Sequence, residues 1–208
     1  KDDAAWDKAE GTLREVLKKS GVPFFEAENE AAFYGPKIDV QVKNVAGKEE
    51  TAFTVQYDFV MPKRFDLKYI DKEGKEQQPV VIHRASLGAF ERTMAFLIEK
   101  YGGAFPTWLS PVQVKIIPIA DRHIGYGEDI LKKLKESGIR VEIDDRSEKM
   151  QSKIRDAQNM KIPYMLIVGD KEAEAKTLSV RKRSGENVND LSFGDFLSSL
   201  KQEIATRS

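Results

Sequence analysis

Pro79-Val80-Val81-Ile82-His83-Arg84-Ala85-Ser86-Leu87-Gly88-Ala89-Phe90-Glu91-Arg92 reads as a strand, a glycine-bearing turn and the first turn of a helix. β-prone residues run into His83, and Gly88 interrupts the chain. From about Ala89 to Tyr101, Phe90, Met94, Leu97 and Ile98 recur at the spacing of a buried helical face. This places His83 at the end of a buried strand and aims Arg92 from the start of a helix. An imidazole there suits a metal ligand, and a guanidinium suits a phosphate. A hydrogen-bonded core histidine and an ion-paired arginine fit the same residues.

Upstream, Trp6, Ala9, Leu13, Val16 and Leu17 share one helical face, with Asp2 or Asp3 as a cap and Gly21 as the stop. β-prone runs follow at Ile38 to Val42, Thr51 to Phe59 and Val80 to His83. Lys72-Glu73-Gly74-Lys75 reads as a hairpin tip or loop between the last two. The first part is therefore expected to be an antiparallel sheet with helices packed on it. Gly102-Gly103, Pro106 and Pro111 then punctuate the chain and the pattern changes. Strands are expected at 112–119, 139–143, 163–168 and 177–182, and helices near 125–136, 148–159 and 192–204. Such alternation implies right-handed crossovers and a mainly parallel sheet. Gly138 follows a lysine-rich helix end, as a glycine at that position should. The fold class is α/β, with domains at 1–108 and 109–208.

Composition narrows the function classes. Thirty-four basic and 34 acidic residues cancel, so only local clusters can argue for a nucleic-acid partner. The chain has no cysteine and two histidines, which excludes disulfides and any zinc thiolate supplied by this chain. No apolar run approaches the ~18 residues of a membrane span, and Lys1-Asp2-Asp3 carries no signal-peptide core. A cytoplasmic piece of a longer protein is the expectation.

Two further segments stand out. In Ala32-Phe33-Tyr34-Gly35-Pro36-Lys37-Ile38-Asp39, a tight turn could present the Tyr34 hydroxyl and the Lys37 ammonium together, or could simply be a turn. In Phe53-Thr54-Val55-Gln56-Tyr57-Asp58-Phe59, alternation puts Thr54, Gln56 and Asp58 on one face, either solvated or flooring a cleft. Farther on, Arg146, Lys149, Lys153 and Arg155 form one basic cluster, and Arg181, Lys182 and Arg183 another. His123, in a loop, reads as an ordinary surface residue.

The order and spacing of these segments, continued by Pro62-Lys63-Arg64-Phe65-Asp66-Leu67 and Phe105-Pro106-Thr107-Trp108-Leu109-Ser110-Pro111-Val112-Gln113-Val114, closely resemble the threonyl-tRNA synthetases of class II. The resemblance spans essentially the whole chain. It implies the motif 3 half of a catalytic domain followed by an anticodon-binding domain, a portion inactive without upstream catalytic residues. The family joins threonine to its tRNA with ATP, Mg²⁺ and Zn²⁺, as a homodimer. By residue match, His83 is the last of three zinc ligands, and Tyr34 and Gln56 line the threonine pocket. Lys37 lies at the cleft, and Arg92 is the motif 3 arginine that grips ATP. Lys149, Arg155, Glu172 and Arg181 match anticodon contacts. Two positions depart from the family pattern: Phe53 replaces a glycine and could narrow the ATP side, and Ser147 replaces an asparagine. A non-catalytic tRNA-binding relative and another class II synthetase are the competing readings.

Overall fold

The first helix, α1 (Asp3–Ser20), starts where the Asp2 carboxylate accepts the Ala5 N–H and stops at Gly21, whose φ is 68°. Its apolar stripe is narrow: Ala9 is buried while Val16 is exposed. Trp6 meets Phe59 edge to face, with ring centroids 5.4 Å apart. The computed structural model describes residues 2–207 and divides into two units, one ending at Phe96 and the other starting at Leu97.

In the first unit, β1 (Lys37–Lys43) and β2 (Glu49–Asp58) are followed by a short helix, α2 (Met61–Arg64). A small hairpin, β3 (Tyr69–Ile70) with β4 (Glu76–Gln77), comes next, and then β5 (Val81–Ala85). The hairpin tip falls where Gly74 reads it; Asp71 Oδ1 accepts the N–H groups of Glu73 and Lys75 there. The main sheet has the order β1-β2-β5, antiparallel throughout. Its register shifts beside Val40, so that Ala52 is left opposite no partner, a β-bulge.

Helix α3 (Phe90–Tyr101) departs from expectation. Phe90, Met94 and Ile98 are exposed, and so are His83 and Ile82 of β5, which is not a buried strand. The expected burial does not occur, since no residue of α3 is buried: among the described residues no layer covers these faces, and β5 is the edge of a three-stranded sheet.

The second unit holds the large apolar core. It runs β6 (Val114–Pro118), a 3-10 turn (Asp121–His123), α4 (Ile124–Glu136), β7 (Val141–Ile143), α5 (Met150–Asn159) and β8 (Tyr164–Val168). It continues through α6 (Asp170–Ala175), β9 (Leu178–Lys182), β10 (Asn187–Leu191) and α7 (Phe193–Thr206). The sheet order is β10-β9-β8-β6-β7. It is parallel across β7-β6-β8, where strands alternate with helices, and antiparallel across β8-β9-β10. The second half therefore needs no crossover helix, and the sheet is mixed rather than mainly parallel. Ile130 and Leu134 of α4 and Phe196 and Leu200 of α7 pack on one face of the sheet. Ile154 and Ala157 of α5 pack on the other. No helix of the described residues is long and apolar enough to cross a membrane.

Gln113, just before β6, is buried and clasps two backbone groups. Its Nε2 donates to Thr107 O at 2.9 Å, and its Oε1 accepts from Arg140 N at 2.9 Å. Gln113→Ala orphans both groups and should destabilise this unit by about 1–3 kcal/mol. A lowered urea midpoint at unchanged m-value is the expected observation; an unchanged midpoint would refute the clasp.

Candidate functional site

Paired residues on adjacent strands present their side chains to the same face. Gln56 pairs with Lys37 on one side and His83 on the other, and Thr54 pairs with Asp39. Lys37, Asp39, Thr54, Gln56, Asp58 and His83 thus share one face of the β1-β2-β5 sheet.

The Tyr34-Gly35-Pro36 turn delivers a further group to that face. Tyr57 N donates to Pro36 O, and Phe59 N to Tyr34 O, so the turn is laced to the end of β2. Gly35 has φ 154°, and a Cβ on it would lie 1.7 Å from the Tyr57 carbonyl oxygen; only glycine permits this approach. Held so, Tyr34 donates its hydroxyl to Gln56 Oε1, and its ring lies 5.4 Å from the His83 ring. With the carbonyl end of Gln56 occupied, its amide –NH₂ is the group it can offer a ligand. Lys37 Nζ pairs with Asp39 Oδ2 at 2.5 Å. Among the described residues, Asp39 Oδ1 and Thr54 Oγ1 are buried without a hydrogen-bond partner, so the face holds unused polar capacity.

Asp58 is the group that reading the sequence did not single out. It is fully buried. Its Oδ1 accepts from Val60 N at 3.0 Å and Met61 N at 2.9 Å, and its Oδ2 lies 2.8 Å from His83 Nε2. Burial pushes the carboxyl pKa up, but the hydrogen bonds from His83, Met61 and Val60 outweigh it, and the net position is below the usual carboxylate value. The alternating pattern put Asp58 on the polar face; what it lacked was the β2–β5 register that brings His83 within reach.

Tyr34, Gln56 and His83 therefore converge, with Lys37 beside them. Arg92 stands apart. It is exposed, and its Nη1 donates to Thr51 O at 3.1 Å, five residues along β2 from Gln56, or roughly 17 Å at strand spacing. The start of α3 is fixed at the bulge, because a Cβ on Gly88 (φ 58°) would sit 2.4 Å from Ala52 O. Thr93 Oγ1 also closes this turn, donating to Leu87 O at 2.7 Å. Phe53 pairs with Val40, on the face opposite Gln56 and His83, so its ring does not project onto the polar face.

Among the described residues no group of three His, Cys, Asp or Glu side chains could hold a metal. His83 fits as one ligand of such a site. Its Nε2 is engaged by Asp58, and no hydrogen bond to its Nδ1 is formed among the described residues.

A second locus lies in the other unit. A pocket of about 200 Å³ is lined by Glu172, Ser179, Arg181, Asn187 and Asn189, with Met150 at its side. Glu172 Oε2 accepts from Gly169 N at 2.9 Å, and its Oε1 from Ser179 Oγ at 2.6 Å. Burial raises the Glu172 pKa, and these hydrogen bonds more than reverse it. Arg181 Nη1 donates to Asn187 Oδ1 at 3.2 Å, while its buried Nε has no partner among the described residues. Lys149 precedes α5, and Arg155 lies on it, exposed; neither lines the pocket.

The two basic clusters largely dissolve. Arg146 pairs with Asp144 and Asp156 at 2.7 and 2.9 Å. Lys153 is buried and donates to the carbonyls of Pro118 and Asp144. Lys182 pairs with Glu186, and Arg183 donates to Phe105 O and Lys161 O. His123 is likewise no surface residue. It is 3 % exposed, its Nδ1 accepts from Ala120 N, and its Nε2 lies 2.8 Å from Asp170 Oδ1. Arg122 and His123 together hold Asp170 well below the usual carboxylate range.

Residues 3–101 match the tRNA synthetase class II core domain (G, H, P, S and T), and residues 113–203 match the anticodon binding domain. Threonine–tRNA ligase of Clostridium botulinum is 50% identical over 206 residues, 99% of this chain and 32% of the relative. That of Geobacillus kaustophilus is 51% identical over 204 residues, 98% of this chain and 31% of the relative. The chain thus spans about a third of the length of the curated relatives it matches. Among solved structures, the RNA binding domain of threonyl-tRNA synthetase from Cryptosporidium parvum matches with TM-score 0.85 and 32% identity, over 98% of this chain and 52% of that one. A threonyl-tRNA synthetase from Aeropyrum pernix matches with TM-score 0.70 and 28% identity, over 97% and 50%.

Proposed function

The chain belongs to the threonyl-tRNA synthetase family of class II, and on that footing we propose that it supplies the amino-acid-testing face and the anticodon-reading domain of a threonine–tRNA ligase. The observation that carries the reading is the convergence of Tyr34, Gln56 and His83 on one polar sheet face, with unspent polar atoms beside them.

In this reading His83 is one ligand of a Zn²⁺ ion whose other ligands come from elsewhere in the polypeptide. When bound, the ion would supply Lewis-acid chemistry with which a substrate hydroxyl could be tested. A site that must engage a hydroxyl rejects valine, a task an apolar pocket does poorly. Gln56 and Tyr34 orient the amino acid, and Lys37, tethered by Asp39, adds positive charge at the cleft. Arg92, exposed roughly 17 Å along the sheet from Gln56, would grip the far end of ATP, whose phosphate charge Mg²⁺ would help neutralise. Attack of the carboxylate on the α-phosphate then needs chiefly alignment and charge neutralisation.

In the second unit, Glu172 can accept from a base amino group and Arg181 can donate through its unsatisfied Nε. Lys149 and Arg155 lie outside that pocket, as phosphate contacts. The whole enzyme is read as a cytoplasmic homodimer.

Two measurements on the full-length polypeptide test this. ATP–pyrophosphate exchange should depend on threonine and be negligible with valine. Arg181→Ala should leave that exchange unchanged while weakening tRNA binding by about 1–3 kcal/mol. Tight tRNA binding without any exchange would favour a non-catalytic accessory protein instead.

A further inference from the structure

The two histidines of this chain are wired differently. At His123 both ring nitrogens are used by the protein: Nδ1 accepts from Ala120 N, and Nε2 faces Asp170. At His83, among the described residues, only Nε2 is used, by Asp58, and the ring is about half exposed. We propose that Asp58 is a positioning residue that locks His83 in the tautomer protonated on Nε2, so that the Nδ1 lone pair is held ready for a divalent cation.

The division of labour within one carboxylate carries the argument. Oδ1 is taken by the N–H groups of Val60 and Met61, which open α2. Oδ2 is left for His83. An ionised carboxylate can only accept hydrogen bonds, so the nitrogen facing it must carry the proton. A neutral imidazole protonated on Nε2 has its lone pair on Nδ1. Asp58 is fully buried at the end of β2, its two backbone bonds prevent it from swinging away, and the β2–β5 register prevents His83 from doing so. The ring is therefore oriented before any ligand arrives. Carboxylate support of a metal-binding histidine fixes both tautomer and ring plane, and its loss typically costs 10–100-fold in metal affinity.

This inference rests on the metal reading above for its purpose but not for its test. Asp58→Asn is isosteric, and its Oδ1 can still accept from Val60 and Met61. Its –NH₂ must then face His83 Nε2, which has to become an acceptor, and the proton moves to Nδ1. ¹⁵N-histidine NMR of the 208-residue chain at pH 8, without metal, reads both rings. The wild type should show His83 protonated on Nε2, with His123 as an internal reference of the same form. In Asp58→Asn, His83 should switch to the Nδ1-protonated form while His123 stays unchanged. The proposal is overturned if the wild-type ring already carries its proton on Nδ1, which needs no variant to observe, or if the substitution leaves the tautomer as it was. Zinc affinity of the full-length polypeptide, measured in parallel, should fall 10–100-fold. A switched tautomer with unchanged zinc affinity would leave the tautomer lock standing and remove His83 Nδ1 from the metal site, so the two failures are told apart.

Discussion

Arg92→Ala should slow threonine-dependent ATP–pyrophosphate exchange in the full-length polypeptide by on the order of 10²–10³-fold, the usual loss when one donor to developing charge is removed. The guanidinium is exposed at the first turn of α3, and among the described residues it makes one hydrogen bond, to the Thr51 carbonyl. Removing it leaves the sheet, the bulge and the Gly88 approach intact, so the loss should be kinetic and not a loss of folded protein. Lysine should restore little, because a point charge cannot reproduce a planar fork on a phosphate. The deficit should fall on ATP, through its KM or on kcat, with the KM for threonine nearly unchanged. A variant within about threefold of wild type would show that Arg92 merely ties α3 to β2.

His83→Ala should have the larger effect, and on selectivity as much as on rate. A site that engages a substrate hydroxyl discriminates against the analogue lacking it by roughly 10⁴–10⁵. With its imidazole gone, the ratio of kcat/KM for threonine over valine should collapse, and bound zinc should be lost. Tyr34 and Gln56 would still be joined, so the pocket keeps its shape without its test. If selectivity and metal content both survived, His83 would have to be a structural partner of Asp58 alone.

The elements were more legible than their surroundings. Alternation in Phe53 to Phe59 identified the polar face of β2, and the helical spacing of Phe90, Met94, Leu97 and Ile98 identified α3. Neither pattern reports whether a partner layer is present, and the exposure of Phe90 and Ile98 is a tertiary fact. The role of Asp58 escaped the sequence pattern because its partner sits diagonally across a strand pair, 25 residues away in sequence. β10, Asn187–Leu191, escaped because Asn and Asp are poor strand residues; it is held as an edge strand by its pairing with β9. Charge clusters were the least dependable signal. Arg146 and Lys153 look like nucleic-acid contacts on the page, yet one is neutralised by two aspartates and the other is buried against backbone carbonyls.

The most direct measurement is anomalous diffraction at the zinc edge from crystals of the full-length polypeptide grown with threonine. A peak about 2.0–2.1 Å from His83 Nδ1, with Asp58 on Nε2 and the threonine hydroxyl on the ion, is the result predicted. A His83 ring with no anomalous peak near it, and threonine bound elsewhere, would contradict the assignment of this face as the place where the amino acid is tested.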